Sequence, residues 1–144
     1  MSTFVLDASV TMSWLLGDAR PTDNAYAEAV LDSLRLPDCT ALVPMTWALE
    51  ISNVLARAEA RGFVDEAQSE AFLEMLAGVA IQPDDATFAR ALTDTLHVAR
   101  RYALSSYDAS YLELALRAGV PIATLDADLS KSARKAGVRR FAPN

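Results

Sequence analysis

Thr3-Phe4-Val5-Leu6-Asp7-Ala8-Ser9 decides how the chain is read, because a short apolar run closes on a carboxylate and gives way at once to a helix signal. An apolar run without polar alternation suits a strand covered on both faces. Ser9 is then placed to cap a helix that continues through Leu16 and stops at Gly17. The same alternation repeats outward from this unit. Residues 21–34 read as a second helix and 41–43 as a short buried strand closed by Pro44. From Thr46 the apolar positions Trp47, Ile51, Val54, Leu55 and Ala58 recur at helical spacing up to Gly62. Asp65 opens another helix with Phe72, Leu73 and Leu76 inward. Residues 79–81 are strand-like and broken by Pro83, and 85–102 read as one long amphipathic helix. A helix over 107–117 ends at Gly119, and an apolar strand over 121–125 runs into Asp126. A helix over 127–136 ends at Gly137, and 138–141 form a last short strand. Short apolar strands alternating with helices predict a three-layer α/β/α domain around a central, mostly parallel sheet. A single domain over residues 1–144 is expected. In such sheets ligands bind beyond the carboxyl ends of the strands, where strand order reverses. Asp7 and Asp126 both close strands.

With 144 residues, 52% of them hydrophobic, the chain has material for one genuine core. The N-terminus lacks the basic region of a signal peptide, and no apolar stretch is long enough to span a bilayer, so no membrane is expected. One cysteine, Cys39, allows no internal disulfide and points to the reducing cytoplasm. One histidine, His97, excludes a His/Cys zinc cage and a two-histidine acid–base pair. The net charge of −6 is unevenly spread: residues 1–99 hold 15 acids and 5 bases, residues 100–144 hold 4 acids and 8 bases. The C-terminal third alone is therefore positive, which leaves nucleic-acid binding open.

Glu50 is the least expected acid, since Trp47, Ile51 and Val54 place it inside the apolar stripe of its helix. Its neighbours one turn away are Thr46, Trp47, Asn53 and Val54, so no local cation pairs with it. A distant arginine, the Asn53 amide or a bound metal must satisfy it. Asp7 at a strand end either caps a helix or binds a ligand. Asp108 either forms a capping box with Ser105 or joins a site. Asp126 shares a strand face with Thr124, and Asp128 enters the next helix as a start-of-helix acid or a ligand. Gathered together, these carboxylates repel and raise one another's pKa unless a hard cation neutralises them. Oxygen-only ligation suits Mg²⁺ or Mn²⁺ rather than zinc or copper.

Val5-Leu6-Asp7-Ala8-Ser9, Trp47-Ala48-Leu49-Glu50-Ile51-Ser52-Asn53-Val54-Leu55, Tyr107-Asp108-Ala109-Ser110-Tyr111-Leu112-Glu113-Leu114-Ala115 and Ala123-Thr124-Leu125-Asp126-Ala127-Asp128-Leu129 together resemble the four motifs of PIN domains, especially toxins of the VapC type, in the family's order. The resemblance spans residue 4 to about residue 140. It implies an acidic pocket holding Mg²⁺ or Mn²⁺ and endonucleolytic cleavage of RNA. Carried over by motif, Asp7, Glu50, Asp108 and Asp126 are the acidic site residues, Asp128 is a less regular fifth, and Ser9 and Thr124 are supporting hydroxyls. It also implies a small antitoxin partner and a homodimer. The expected reaction is phosphodiester hydrolysis by metal-activated water. Asp7 and Asp108 are the expected direct ligands. Glu50 and Asp126 either ligate, act through water or orient the nucleophile. Arg100, Arg101, Lys131, Arg134 and Lys135 are candidate RNA contacts, with Arg57 and Arg61 as further ones. Charge at helix C-termini is their other reading. Tyr107 reads as core packing or a base-stacking platform, and Trp14 and Trp47 as core or dimer contact.

A haloacid-dehalogenase-type phosphatase needs an aspartate where this chain has Ser9, and a receiver domain needs paired N-terminal acids and a late strand-end lysine. Neither is visible. A catalytically silent PIN-like metal-binding module and a PIN nuclease for cellular RNA processing stay as alternatives.

Overall fold

Strand β1 (Ser2–Leu6) occupies the middle of a parallel sheet ordered β3-β2-β1-β4, in a computed structural model that describes residues 2–144. Its neighbours are β2 (Cys39–Val43), in register from Ser2↔Cys39 to Val5↔Leu42, and the two-residue β4 (Ile122–Ala123). Strand β3 (Ile81–Pro83) pairs with β2 at the edge. Between the strands lie α1 (Ala8–Leu16), α2 (Pro21–Leu34), α3 (Met45–Ala60), α4 (Glu66–Ala77), α5 (Thr87–Ala91), α6 (Asp94–Tyr102), α7 (Ser106–Ala118) and α8 (Ala127–Lys135). The chain lays β1, β2 and β3 outward in one direction and returns to place β4 on the other side of β1. The reversal of strand order therefore falls between β1 and β4.

Alternation along β1 builds the layers, since successive side chains of a strand leave by opposite faces. Phe4 and Leu6 enter a cluster with Val10, Ala27, Val30 and Leu34 from α1 and α2. Val5 enters another with Tyr111, Leu112 and Leu129 from α7 and α8. A third cluster joins α1 to α3 and α4 through Met12, Ile51, Leu55 and Phe72. Phe4 stacks on Phe141 with ring centroids 3.9 Å apart, an arrangement worth about 1 kcal/mol beyond the area it buries. The result is the three-layer α/β/α arrangement. Gly119 ends α7 at φ 67°, a left-handed conformation that glycine adopts without steric cost, and so returns the chain to β4.

Several expectations change, the third strand among them, since it is Ile81–Pro83 rather than 79–81 and takes in the proline expected to break it. The segment 85–102 is two helices, α5 and α6, broken where Thr93 adopts φ −122°, ψ −94°. Thr87 and Thr95 are the residues it buries, while Phe88 and Leu92 stand 81% and 85% exposed. The hydroxyl of Thr87 explains part of this, because it donates to Asp84 and accepts from the Met45 amide, fixing the face of α5 by hydrogen bonding rather than hydrophobicity. The strand expected at 138–141 contracts to a single bridge between Arg140 and Ile122. Leu73 is 41% exposed rather than inward. The N-cap of α1 is Asp7 and not Ser9, which lies within the helix.

Candidate active site

Asp7 leaves the carboxyl end of β1 beside the switch point and is only 4% exposed. Although it occupies the N-cap position, its side chain makes no capping bond. Its Oδ2 instead accepts from the Ser9 hydroxyl at 2.6 Å and the Thr124 hydroxyl at 2.7 Å. Ser9 in turn accepts from the Leu125 amide at 2.9 Å, and Thr124 Oγ1 accepts from the Asp126 amide at 3.0 Å. The two hydroxyls thus lock Asp7 to the chain leaving β4. Burial pushes the Asp7 carboxyl above the ordinary range, the Ser9 and Thr124 bonds pull it back, and the negative charge of Asp126 pushes it up again.

Glu50 lies in the second turn of α3 and is half-buried. Its satisfying partner is neither an arginine nor Asn53 but the hydroxyl of Tyr111, which donates to Oε1 at 2.9 Å. Nearby, Thr46 and Ser110 share a hydrogen bond of 2.8 Å, so α3 and α7 are joined twice beside the acids. Burial raises Glu50 to about 7, countered by the Tyr111 bond and reinforced by the charges of Asp7 and Asp108. A carboxyl titrating there can take up or release a proton near neutrality. Tyr111 stands in the sequence as part of the third motif, with no role in the acidic site assigned to it. Its signal is a phenol at i+3 from Asp108 within the buried stretch 109–115, where a hydroxyl needs a partner. Tyr111→Phe removes that donor without changing the ring. It should lower stability by about 1 kcal/mol, read from the urea midpoint. An unchanged midpoint would mean that the bond does not form.

Asp108 begins α7, where its amide donates to the N-cap Ser105 Oγ at 3.1 Å. Burial first, then the charges of Asp126, Asp7 and Asp128, raise its carboxyl to about 6. Asp126 caps α8, accepting from the Leu129 amide at 2.8 Å, and is half-buried. Asp128 is exposed. Tyr107, beside Asp108, is 64% exposed, so core packing does not explain it.

The charges of the four acids reach one another beside the carboxyl ends of β1 and β4, and those acting on Asp7, Glu50 and Asp108 are all negative. The acids stand wider than a cage: among the described residues, no three His, Cys, Asp or Glu side chains group closely enough to hold a metal ion. The two observations agree, because charges interact over roughly 8–10 Å whereas ligand oxygens sit about 2.0–2.6 Å from a hard cation. Mg²⁺ is commonly held by one or two carboxylates and keeps several of its waters. The oxygen-only donor set fits such an ion, which few of these side chains would hold directly.

The basic candidates separate. Arg101, Lys131 and Lys135 line one hollow between α6 and α8. Arg134 lies in another, with Arg139, Arg140 and Thr124. Arg100 is exposed and lines neither. Arg57 and Arg61 fall near the far end of α3, about 10–16 Å along the helix from Glu50. Trp14 and Trp47 pack against the core, donating to the Ala27 carbonyl and to Thr11 Oγ1. Among the described residues, no helix is long and apolar enough to cross a membrane.

The sequence pattern of the PIN domain matches residues 4–135. Three solved structures share the fold. PAE2754 from Pyrobaculum aerophilum is 21% identical with a TM-score of 0.65, covering 91% of this chain and 79% of its own. FitAB bound to an IR36 DNA fragment is 24% identical with a TM-score of 0.60, covering 98% and 94%. FitAcB from Neisseria gonorrhoeae is 23% identical with a TM-score of 0.53, covering 99% and 98%. No curated protein is significantly similar to the chain.

Proposed function

This chain belongs to the PIN-domain family, and from that premise we propose that it is an endoribonuclease dependent on Mg²⁺ or Mn²⁺, the toxin of a VapC-type toxin-antitoxin pair. The observation that carries the reading is that Asp7, Glu50, Asp108 and Asp126 lie within reach of one another's charge beside the switch point, with only negative charge acting on the first three. Asp7 and Asp108 are the residues that would hold the ion, Asp7 held in place by Ser9 and Thr124. Bound there, a hard divalent cation supplies the Lewis acidity that makes water a nucleophile at neutral pH and offsets charge on the phosphoryl oxygens. Glu50, oriented by the Tyr111 hydroxyl, is the residue that would accept the proton of the attacking water. Asp126, fixed as the cap of α8, and the exposed Asp128 complete the acidic rim. Because water attacks, the ribose 2′-hydroxyl is not required, and the products carry 5′-phosphate and 3′-hydroxyl ends.

The proposed partners are a small antitoxin and a second copy of the chain, with residues 1–144 acting as one domain in the cytoplasm. An apolar groove of about 660 Å³ between α3 and α4, lined by Met45, Ala48, Leu55, Leu73 and Leu76, offers surface for the antitoxin to cover. A second reading, a catalytically silent PIN-like module, is favoured by the width of the acidic group. Purified protein incubated with mixed RNAs and single-stranded DNAs separates the two. Cleavage of RNA with Mg²⁺ or Mn²⁺ that stops with EDTA supports the enzyme. Binding without cleavage supports the module, and cleavage that persists in EDTA overturns both.

A further inference from the structure

The hollow between α6 and α8 has a volume of about 660 Å³ and is lined by Arg101, Lys131 and Lys135 together with Tyr102, Ser132 and Asp128. None of its three cations forms a salt bridge with a described residue, although Asp128 lines the same hollow. Lys131 and Lys135 are separated by one helical turn, a spacing at which like charges destabilise a helix. Arg101 is brought opposite them by the turn that ends α6. That turn rests on Ala103 at φ 53°, the one non-glycine residue at positive φ among the described residues. The helix C-termini favour Arg101 and Lys135, but three cations without a salt bridge around one concavity still leave a surface suited to an anion.

Position says which anion. Asp128 lines the hollow and its charge also acts on Asp108, so the hollow borders the acidic centre. The Arg101 guanidinium lies 5.8 Å from the Tyr102 ring, placing an aromatic face among the cations. Cations that track phosphates beside an aromatic surface are the means by which single-stranded nucleic acid is held without reading its sequence. Duplex RNA is instead gripped across two successive minor grooves, over about 16 base pairs, which one hollow does not span.

Resting on the nuclease reading above, we infer that the α6–α8 hollow binds the phosphodiester backbone of single-stranded RNA on one side of the scissile bond, making Arg101, Lys131 and Lys135 a backbone clamp. The clamp sets affinity for a strand and leaves its sequence unread.

The test compares K131E/K135E with R20E/R35E, which changes net charge equally at two exposed arginines flanking α2 on the opposite face of the sheet from α7 and α8, and with K131R/K135R. Binding of a fluorescent single-stranded oligoribonucleotide is measured by anisotropy over a range of salt in a D108N background, and thermal melting checks that each variant folds. K131E/K135E should weaken binding at least about tenfold at low salt and reduce the slope of log affinity against log salt by about 1.4. K131R/K135R should retain wild-type affinity, and R20E/R35E should change it by less than about threefold. Equal losses in K131E/K135E and R20E/R35E would overturn the clamp in favour of a diffuse charge effect. An acidic peptide displaced by K131E/K135E while RNA affinity stays unchanged would assign the hollow to a protein partner and overturn it too. Failure of the wild-type chain to cleave RNA with any metal bears on the nuclease reading alone, because the affinity and salt slope still decide the clamp.

Discussion

Asp7→Asn should lower RNA cleavage by more than about 100-fold and at the same time raise the melting temperature. Loss of a residue that merely supports a metal ligand commonly costs 10–100-fold, so removing a ligand's charge should cost more. The rise in stability follows from burial. Asp7 is 4% exposed and held above the ordinary carboxylate range, so its charge opposes folding. Asparagine keeps an oxygen to accept from Ser9 and Thr124 while removing that charge. Activity assayed beside thermal melting checks both halves. Retained turnover would remove Asp7 from the site, and a lower melting temperature would mean that its charge is compensated in the fold.

The same charges set the pH dependence. A carboxyl whose folded pKa is raised binds protons in the folded state that the unfolded chain has already released, so stability falls as pH rises through that interval. Glu50 moves from 4.5 to about 7 and Asp108 from 3.8 to about 6. Both are partly exposed, and screening reduces the effect, so the gain from pH 8 to pH 5 should be about 2 kcal/mol, or roughly 5 °C in melting temperature. Mg²⁺ or Mn²⁺ added at pH 8 should raise the melting temperature too, because an ion that binds only the folded chain stabilises it by mass action. Asp84 acts oppositely: the Arg117 guanidinium holds it below the ordinary range, so its contribution is present near neutrality and lost as pH falls through its folded value. Stability should therefore peak in mild acid and decline on either side. A profile that rises steadily from pH 5 to pH 8 without metal would contradict the acidic repulsion.

Arg117→Met carries the largest expected loss of stability. Arg117 donates through Nε to Glu113 at 2.9 Å and through Nη2 to Asp84 at 2.8 Å, and the two carboxylate side chains are only 6% and 9% exposed. Asp84 also accepts from Thr87, whose hydroxyl receives the Met45 amide. One guanidinium thereby links α7, the segment after β3, and the start of α3. Removing it leaves Glu113 without its cation and Asp84 with only the Thr87 hydroxyl and the Ala86 amide, both poorly solvated anions, a change that costs about 3–5 kcal/mol against a total stability of about 5–15 kcal/mol. Urea unfolding measures it. Arg117→Lys should recover only part of the loss, because an ammonium cannot present the planar fork to both carboxylates. A change under about 1 kcal/mol would show that these anions reach water when the arginine leaves.

What could be read from the residues was what neighbours in sequence decide. Pro at the first helical position and an apolar repeat gave α2 its full span, Pro21–Leu34, and Asp65 with Gln68 formed the capping box that opens α4. The alternation of buried strands with helices gave the three layers, and the four acids with their motifs stood out in chain order. These features rest on contacts within about four residues, or on a periodicity of side chains, and both are written along the chain. Tertiary packing decided the rest. Tyr111 reaches Glu50 across 61 residues and Thr124 reaches Asp7 across 117. The broken helix at Thr93, the outward Phe88 and Leu92, and the parting of the basic residues into two hollows likewise depend on what each surface meets. A local pattern says that a buried carboxylate must be satisfied, but its partner is whichever distant group the folded layers bring within hydrogen-bonding reach.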